Sequence, residues 1–103
     1  MLFESKATRE NRKRALALHG MTIRYVTERL GQEELVLGRS GVVSVRAGEL
    51  IVSSSRKTIF RASLKGLRVS YLMSGDGAIL AGRDTESGRE AHEITIHFVD
   101  YIK

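Results

Sequence analysis

GELIVSSSRKTIFRASLKGL, residues 48–67, carries the pattern that decides the fold. Leu50-Ile51-Val52 and Thr58-Ile59-Phe60 are β-branched and aromatic runs, the composition that fits a pleated, half-buried surface. Ser53-Ser54-Ser55-Arg56-Lys57 lies between them as a polar, basic turn, so the stretch reads as an antiparallel hairpin. The same period of two continues on both sides. Met21, Ile23 and Tyr25 alternate with Thr22 and Arg24, and Val43 and Val45 alternate with Ser44 and Arg46. Leu67, Val69, Tyr71 and Met73 share one face, and Ile94, Ile96 and Phe98 alternate with Thr95 and His97. Turns are expected at Gly38-Arg39-Ser40-Gly41, at Ala47-Gly48 and at Ser74-Gly75-Asp76-Gly77. The last is the strongest hairpin signal, because Asp and Gly tolerate the positive φ of primed turns.

Residues 5–19 contain no Pro or Gly and cluster Ala and Leu at 15–18, which predicts a helix with Ser5 or Thr8 as N-cap. Gly20 follows His19 as a helix-ending residue, and the histidine is placed to cap the last carbonyls. The apolar stripe is thin, with Phe3, Ala7, Arg14 and Leu18 on one face, so light docking or packing shared with another chain is expected. No helical pattern separates the strands, which excludes a βαβ layout. The expected fold is mainly β, an antiparallel barrel or sandwich of about seven or eight strands with one N-terminal helix. Residues 1–20 form the helical segment, and 21–103 a single all-β domain.

With 103 residues, 42% hydrophobic and 28% charged, the composition is that of one ordinary globular domain. No apolar run approaches the length of a membrane-spanning helix, and Met1-Leu2-Phe3 gives way to polar residues by Glu4. A cytoplasmic location is therefore expected. The absence of Cys excludes disulfides, thiolate metal sites and cysteine nucleophiles. The net charge of +5 is uneven: +3 over residues 1–19, −1 over 20–38, +6 over 39–68 and −3 over 69–103.

Gly48, Leu50, Val52, Ser53, Arg56, Lys57, Ile59, Phe60, Leu64 and Leu67 resemble the central hairpin of bacterial pleckstrin-homology-like and GRAM-like domains. Those domains place a Gly, a short apolar strand ending in Thr or Ser, a basic turn and then Ile-Phe or Ile-Tyr in this order. The resemblance implies a pleckstrin-like barrel that binds anionic lipids or protein segments without catalysis. The chain departs from that pattern at its end, where Ile94-Thr95-Ile96-His97-Phe98 is strand-like and the family has a helix. Ser63-Leu64-Lys65-Gly66 looks like the Ser-x-x-Gly tail of the cyclic-di-nucleotide-binding PilZ signature. Here Arg61 stands where that signature has Asp or Asn, which removes the guanine-facing carboxylate. The Arg-rich entry is matched by Arg9 and Lys13, and Lys lacks the planar fork of Arg.

Catalytic groupings are sparse. His92 and His97 are five residues apart on one expected strand and so point to opposite faces. Glu93 and His97 share a face but lie about 13 Å apart along an extended strand. Asp84, Glu86 and Glu90 lack the ligand spacing of a calcium loop. No Walker-type loop, nucleophile elbow or metalloprotease helix is present. Neither an enzyme nor a cofactor or metal is expected. Two basic features remain. Ser54, Ser55, Arg56 and Lys57 combine hydroxyls, backbone N–H groups and cations in a way that suits a phosphate or lipid headgroup. Arg9, Arg12 and Lys13 lie on one helical face by their spacing and could meet nucleic acid or an anionic surface. The six aromatics fall mostly on apolar faces, leaving few to stack on bases, so a nucleic-acid role ranks last.

The sequence thus favours a non-catalytic interaction or oligomerisation module, with a homo-oligomer or another protein as partner. An anionic-ligand binder is the alternative, and a nucleic-acid binder the further one. The run Ile94–Ile102 carries apolar residues on both faces, so it is expected to be a central strand or an edge covered by a partner.

Overall fold

The computed structural model describes residues 5–100. Helix α1 (Lys6–Ala17) is followed by seven strands: β1 (Thr22–Leu30), β2 (Glu33–Arg46), β3 (Glu49–Ser54), β4 (Lys57–Ser63), β5 (Arg68–Tyr71), β6 (Gly77–Asp84) and β7 (Arg89–Phe98). They form one antiparallel sheet in the order β4-β3-β2-β1-β7-β6-β5, curled into a half-barrel. The chain is therefore mainly β with one N-terminal helix. The last strand is a central one, paired with β1 on one side and β6 on the other. Tyr101 and Ile102 of the C-terminal run, and Phe3 of the helix stripe, lie outside the described residues.

Strand parity builds the core. Ile94, Ile96 and Phe98 of β7, Ala78 and Leu80 of β6, Leu50 and Val52 of β3, and Phe60 and Ala62 of β4 alternate inward and are buried. The helix closes over this concave face. Ala15 and Leu18 enter the core, and with Asn11 they form the docking face at i, i+4 and i+7. Of the expected stripe, Leu18 and Arg14 face the sheet, whereas Ala7 is exposed. Asn11 Oδ1 accepts the Val69 N–H at 2.9 Å, Arg14 donates to the Val69 carbonyl at 3.4 Å, and Tyr71 donates its hydroxyl to the Arg14 carbonyl at 2.8 Å. The free edge of β5 is thus covered by helix side chains. Ser5 is the N-cap, accepting the Thr8 N–H, and Gly20 takes a positive φ of 84° after the C-cap. His19 does not cap carbonyls; its Nδ1 accepts the Val45 N–H at 2.9 Å.

The expected turn at Gly38-Arg39-Ser40-Gly41 is not a turn. β2 runs through it for 14 residues, which merges two expected strands into one. The glycines serve close packing. A Cβ on Gly41 would lie 1.8 Å from the Ser53 carbonyl oxygen, and one on Gly38 would lie 2.6 Å from Ser54 Oγ. Ser40, at φ 56°, adds a local bend. Among the described residues, no helix is long and apolar enough to cross a membrane.

Three features of this frame position candidate sites. β1 and β2 extend beyond their neighbours, since β7 pairs with β1 over Ile23–Thr27 and β3 with β2 over Gly41–Arg46. Beyond these pairings Glu28–Leu30 and Glu33–Leu35 form a two-stranded ribbon, with Val36 at its base opposite Thr27. The sheet also curls until the end of β6 meets β4, where Thr85 donates its N–H to the Arg61 carbonyl at 2.8 Å. Finally, one end of the core is closed by polar side chains.

Candidate functional site

The polar end of the core follows from the same strand parity that buries the apolar residues. His92 continues the inward row of Ile94, Ile96 and Phe98, Asp84 continues that of Ala78 and Leu80, and Glu28 lies on β1 two residues beyond Val26. All three are buried. His92 Nδ1 lies 2.7 Å from Asp84 Oδ2, His92 Nε2 lies 2.7 Å from Glu28 Oε1, and Arg89 donates to Glu28 Oε2 at 2.8 Å. The imidazole also leans on Phe60, with ring centroids 5.8 Å apart.

The Arg89 guanidinium holds the Glu28 carboxyl below its usual range, against burial, with His92 adding to the effect. Burial works against the Asp84 carboxylate, yet its acid strength is increased overall. The Arg61 N–H, His92, the Ser87 hydroxyl and the Glu86 N–H all stabilise its charge. The imidazole of His92 is thus held between the two carboxylates, one at each ring nitrogen. Both ring nitrogens and both carboxylates are engaged within the cluster, and His92, Glu28 and Arg89 border the depressions beside it. Among the described residues, no group of three or more His, Asp or Glu side chains is arranged to hold a metal ion. Its evident work is to hold β1, β6 and β7 together.

Two depressions flank the cluster. The larger, an open groove of about 760 Å³ along the β4–β6 seam, has Ala81, Gly82 and Ala91 among its lining, with Lys65, Arg68 and Arg83 as its cations. Glu90 and Glu93 also face it, and Glu90 lies 3.5 Å from Arg83. The smaller, about 390 Å³, lies at the polar end between Leu37, Ile59, Lys57 and Arg89.

The sequence-predicted residues are dispersed differently from expectation. Ser54 is the last residue of β3 and paired with Lys57, so the turn is only Ser55-Arg56, both at positive φ. The Ser54 side chain is buried, and its hydroxyl donates to the Arg39 carbonyl at 2.6 Å; it does not face a ligand. Ser55, Arg56 and Lys57 are exposed, and Lys57 also borders the smaller depression. On the helix, Arg9 and Lys13 are exposed while Arg12 is half-buried. The groove cations Lys65, Arg68 and Arg83 and the cluster Glu28–His92–Asp84–Arg89 were not grouped by sequence reasoning. Inward parity of His92 with Ile94 and Ile96 was the signal available for the cluster.

The most exposed apolar grouping is on the ribbon. Residues 29–36 are all exposed, and Leu30, Leu35 and Val36 keep 48%, 41% and 47% of their surface in contact with water. Gly31 at φ 64° begins the two-residue turn between Leu30 and Glu33. Comparison with protein-family models, curated proteins and solved structures finds no match to this chain.

Proposed function

We propose that this domain is a non-catalytic interaction module that engages a protein partner through the β1–β2 ribbon. The observation that carries this reading is the ribbon itself. A two-stranded hairpin is marginal alone in water, and this one exposes three large apolar side chains where a solvent-facing hairpin would be polar. An unpaired strand edge with exposed apolar side chains is a template for pairing with another strand. The internally satisfied His92 cluster supports a non-catalytic role, because its groups are fully engaged in holding strands. The resemblance of residues 48–67 to pleckstrin-like hairpins, domains that bind without catalysis, accords with it.

The test is a photo-crosslinking amino acid at Val36, with Met73 as an exposed control site, in cells that make the protein. Adducts at Val36 that vanish with Leu35→Glu are expected. No adduct at Val36, or adducts indifferent to Leu35→Glu, would overturn the reading.

A second reading is anionic-ligand binding, now favoured by the seam groove more than by the Ser55-Arg56 turn. Lys65, Arg68 and Arg83 line it, and Lys65 and Arg68 lie outside the Arg83–Glu90 pair. Salt-sensitive binding of an anionic probe such as inorganic pyrophosphate, lost in Lys65→Ala with Arg68→Ala, is the expected result. Equal binding by the double variant would remove the groove from consideration.

A further inference from the structure

We infer that the partner of the ribbon is a second copy of this chain, joined edge to edge along β2 in an antiparallel, two-fold arrangement. The inference rests on the proposed ribbon reading and adds the identity of the occupant and its register.

The free edge of β2 has opposite character at its two ends. At the tip stand Glu33 and Glu34, with Arg29 across from Glu34 on β1. At the root stands Arg39, and there the β3–β4 turn comes alongside, with the Ser55 N–H donated to the Ser40 carbonyl at 3.3 Å. That contact brings Arg56 and Lys57 next to the root, so the root is strongly basic while the tip is acidic. Leu35 and Val36 lie between, exposed. Acidic end, apolar centre and basic end in a line is the pattern a two-fold axis demands, because an isologous contact sets each surface against its own reverse. Two such edges laid antiparallel place each acidic tip against the other's basic root and the apolar centres together.

The register is limited by the fold. The β3–β4 turn stands at the level of Ser40, so a partner strand advancing along the edge stops there. The Arg39 carbonyl already accepts the Ser54 hydroxyl, so the backbone left open runs from Glu33 to Gly38, about 20 Å of strand. Setting Glu33 against the other copy's Arg39 side chain centres the antiparallel pair on Val36, which places the axis there. Each copy then completes a sheet that continues through the other, and neither ribbon is left as an isolated hairpin.

Charge exchange tests this directly. The wild-type chain should be a dimer in light scattering at micromolar concentration. Glu33→Lys with Glu34→Lys, and separately Arg39→Glu with Lys57→Glu, should each raise the dimer dissociation constant at least tenfold. Mixing the two variants should restore a heterodimer. Because the chain has no cysteine, Val36→Cys adds a geometric check, and oxidation should link it to itself while Met73→Cys stays monomeric. A monomeric wild type that still gives photo-crosslinks at Val36 to another protein would overturn the second copy and leave the ribbon reading intact. A dimer unaffected by both charge variants and not linked through Val36→Cys would overturn the inference. If crosslinks at Val36 were also absent, the ribbon reading would fall with it.

Discussion

The carboxylate of Asp84 accepts the backbone N–H of Arg61 at 3.0 Å, reaching from the end of β6 across the seam to β4. The same carboxylate binds His92 Nδ1 at 2.7 Å and the hydroxyl of Ser87 at 2.7 Å. One side chain therefore fastens the two flanks of the curled sheet and anchors the buried imidazole. The Thr85 N–H, donated to the Arg61 carbonyl, is the second tie across the same gap.

Asp84→Ala should accordingly be among the most damaging single changes. It leaves the part-buried Arg61 N–H and a buried ring nitrogen of His92 without their partner, and such orphaned groups cost about 1–3 kcal/mol each, about 3 kcal/mol or more together. For a domain this small, that lowers Tm by roughly 12 °C or more. Calorimetry of Asp84→Ala checks this, and a loss under about 1 kcal/mol would show that the seam is held by other contacts. Glu28→Gln should cost less: it keeps one acceptor oxygen for His92, and the Arg89 guanidinium, then faced by an amide NH2, is half-exposed and can turn to water.

Acid should act through the same pair. Both Glu28 and Asp84 have carboxyls more acidic in the fold than in the unfolded chain. Their stabilising contribution is thus complete above the unfolded carboxylate values near pH 4 and is lost as pH falls through the lower folded values. Denaturant midpoints measured from pH 6 down to pH 2 should drop in that acidic window. In Asp84→Asn the drop should be smaller, from a lower starting stability. An unchanged acid slope in Asp84→Asn would remove this carboxylate from the acid response.

What the sequence reveals and what it hides divide along strand parity and strand continuity. Period two placed Ile94, Ile96 and Phe98 inward, and the β3–β4 hairpin and the central strand β7 follow from it. The same parity holds for His92 and Asp84, but polar residues at inward positions are normally read as strand ends. The pairing of β7 with β1 on one side and β6 on the other, a long-range order the sequence does not print, brings Glu28 and Asp84 to His92 and makes them a buried set. Gly38 and Gly41 read as turn residues because Gly is the usual marker of one. Their reason is the close passage of Ser53 and Ser54, a tertiary contact without a local sign. Asn11 was equally opaque, since a helix-interior Asn binding a strand edge leaves no periodicity to detect.

Asn11 offers its own test. Its carbonyl oxygen is the acceptor for the edge N–H of Val69, which no strand pairs. Asn11→Ala should cost about 1–3 kcal/mol, the usual penalty of an orphaned buried donor. It should also speed hydrogen exchange at the Val69 amide, whereas Asn11→Asp, which keeps an oxygen in place, should preserve protection there. Unchanged exchange in Asn11→Ala would mean that the helix is held by Ala15, Leu18 and the Arg14 contacts without Asn11.

The β3–β4 turn yields the last expectation. Ser55 and Arg56 both adopt left-handed conformations, at φ 52° and 66°, as a two-residue primed turn requires. Neither is the residue such a turn prefers, and a side chain there is strained by about 1 kcal/mol or more. Ser55→Asn with Arg56→Gly supplies the preferred pair and should stabilise the domain by about 1 kcal/mol in urea unfolding. The same variant removes one of the root cations opposite the acidic ribbon tip. Stability should therefore rise while self-association weakens, and a parallel rise in both would argue that Arg56 plays no part at the β2 edge.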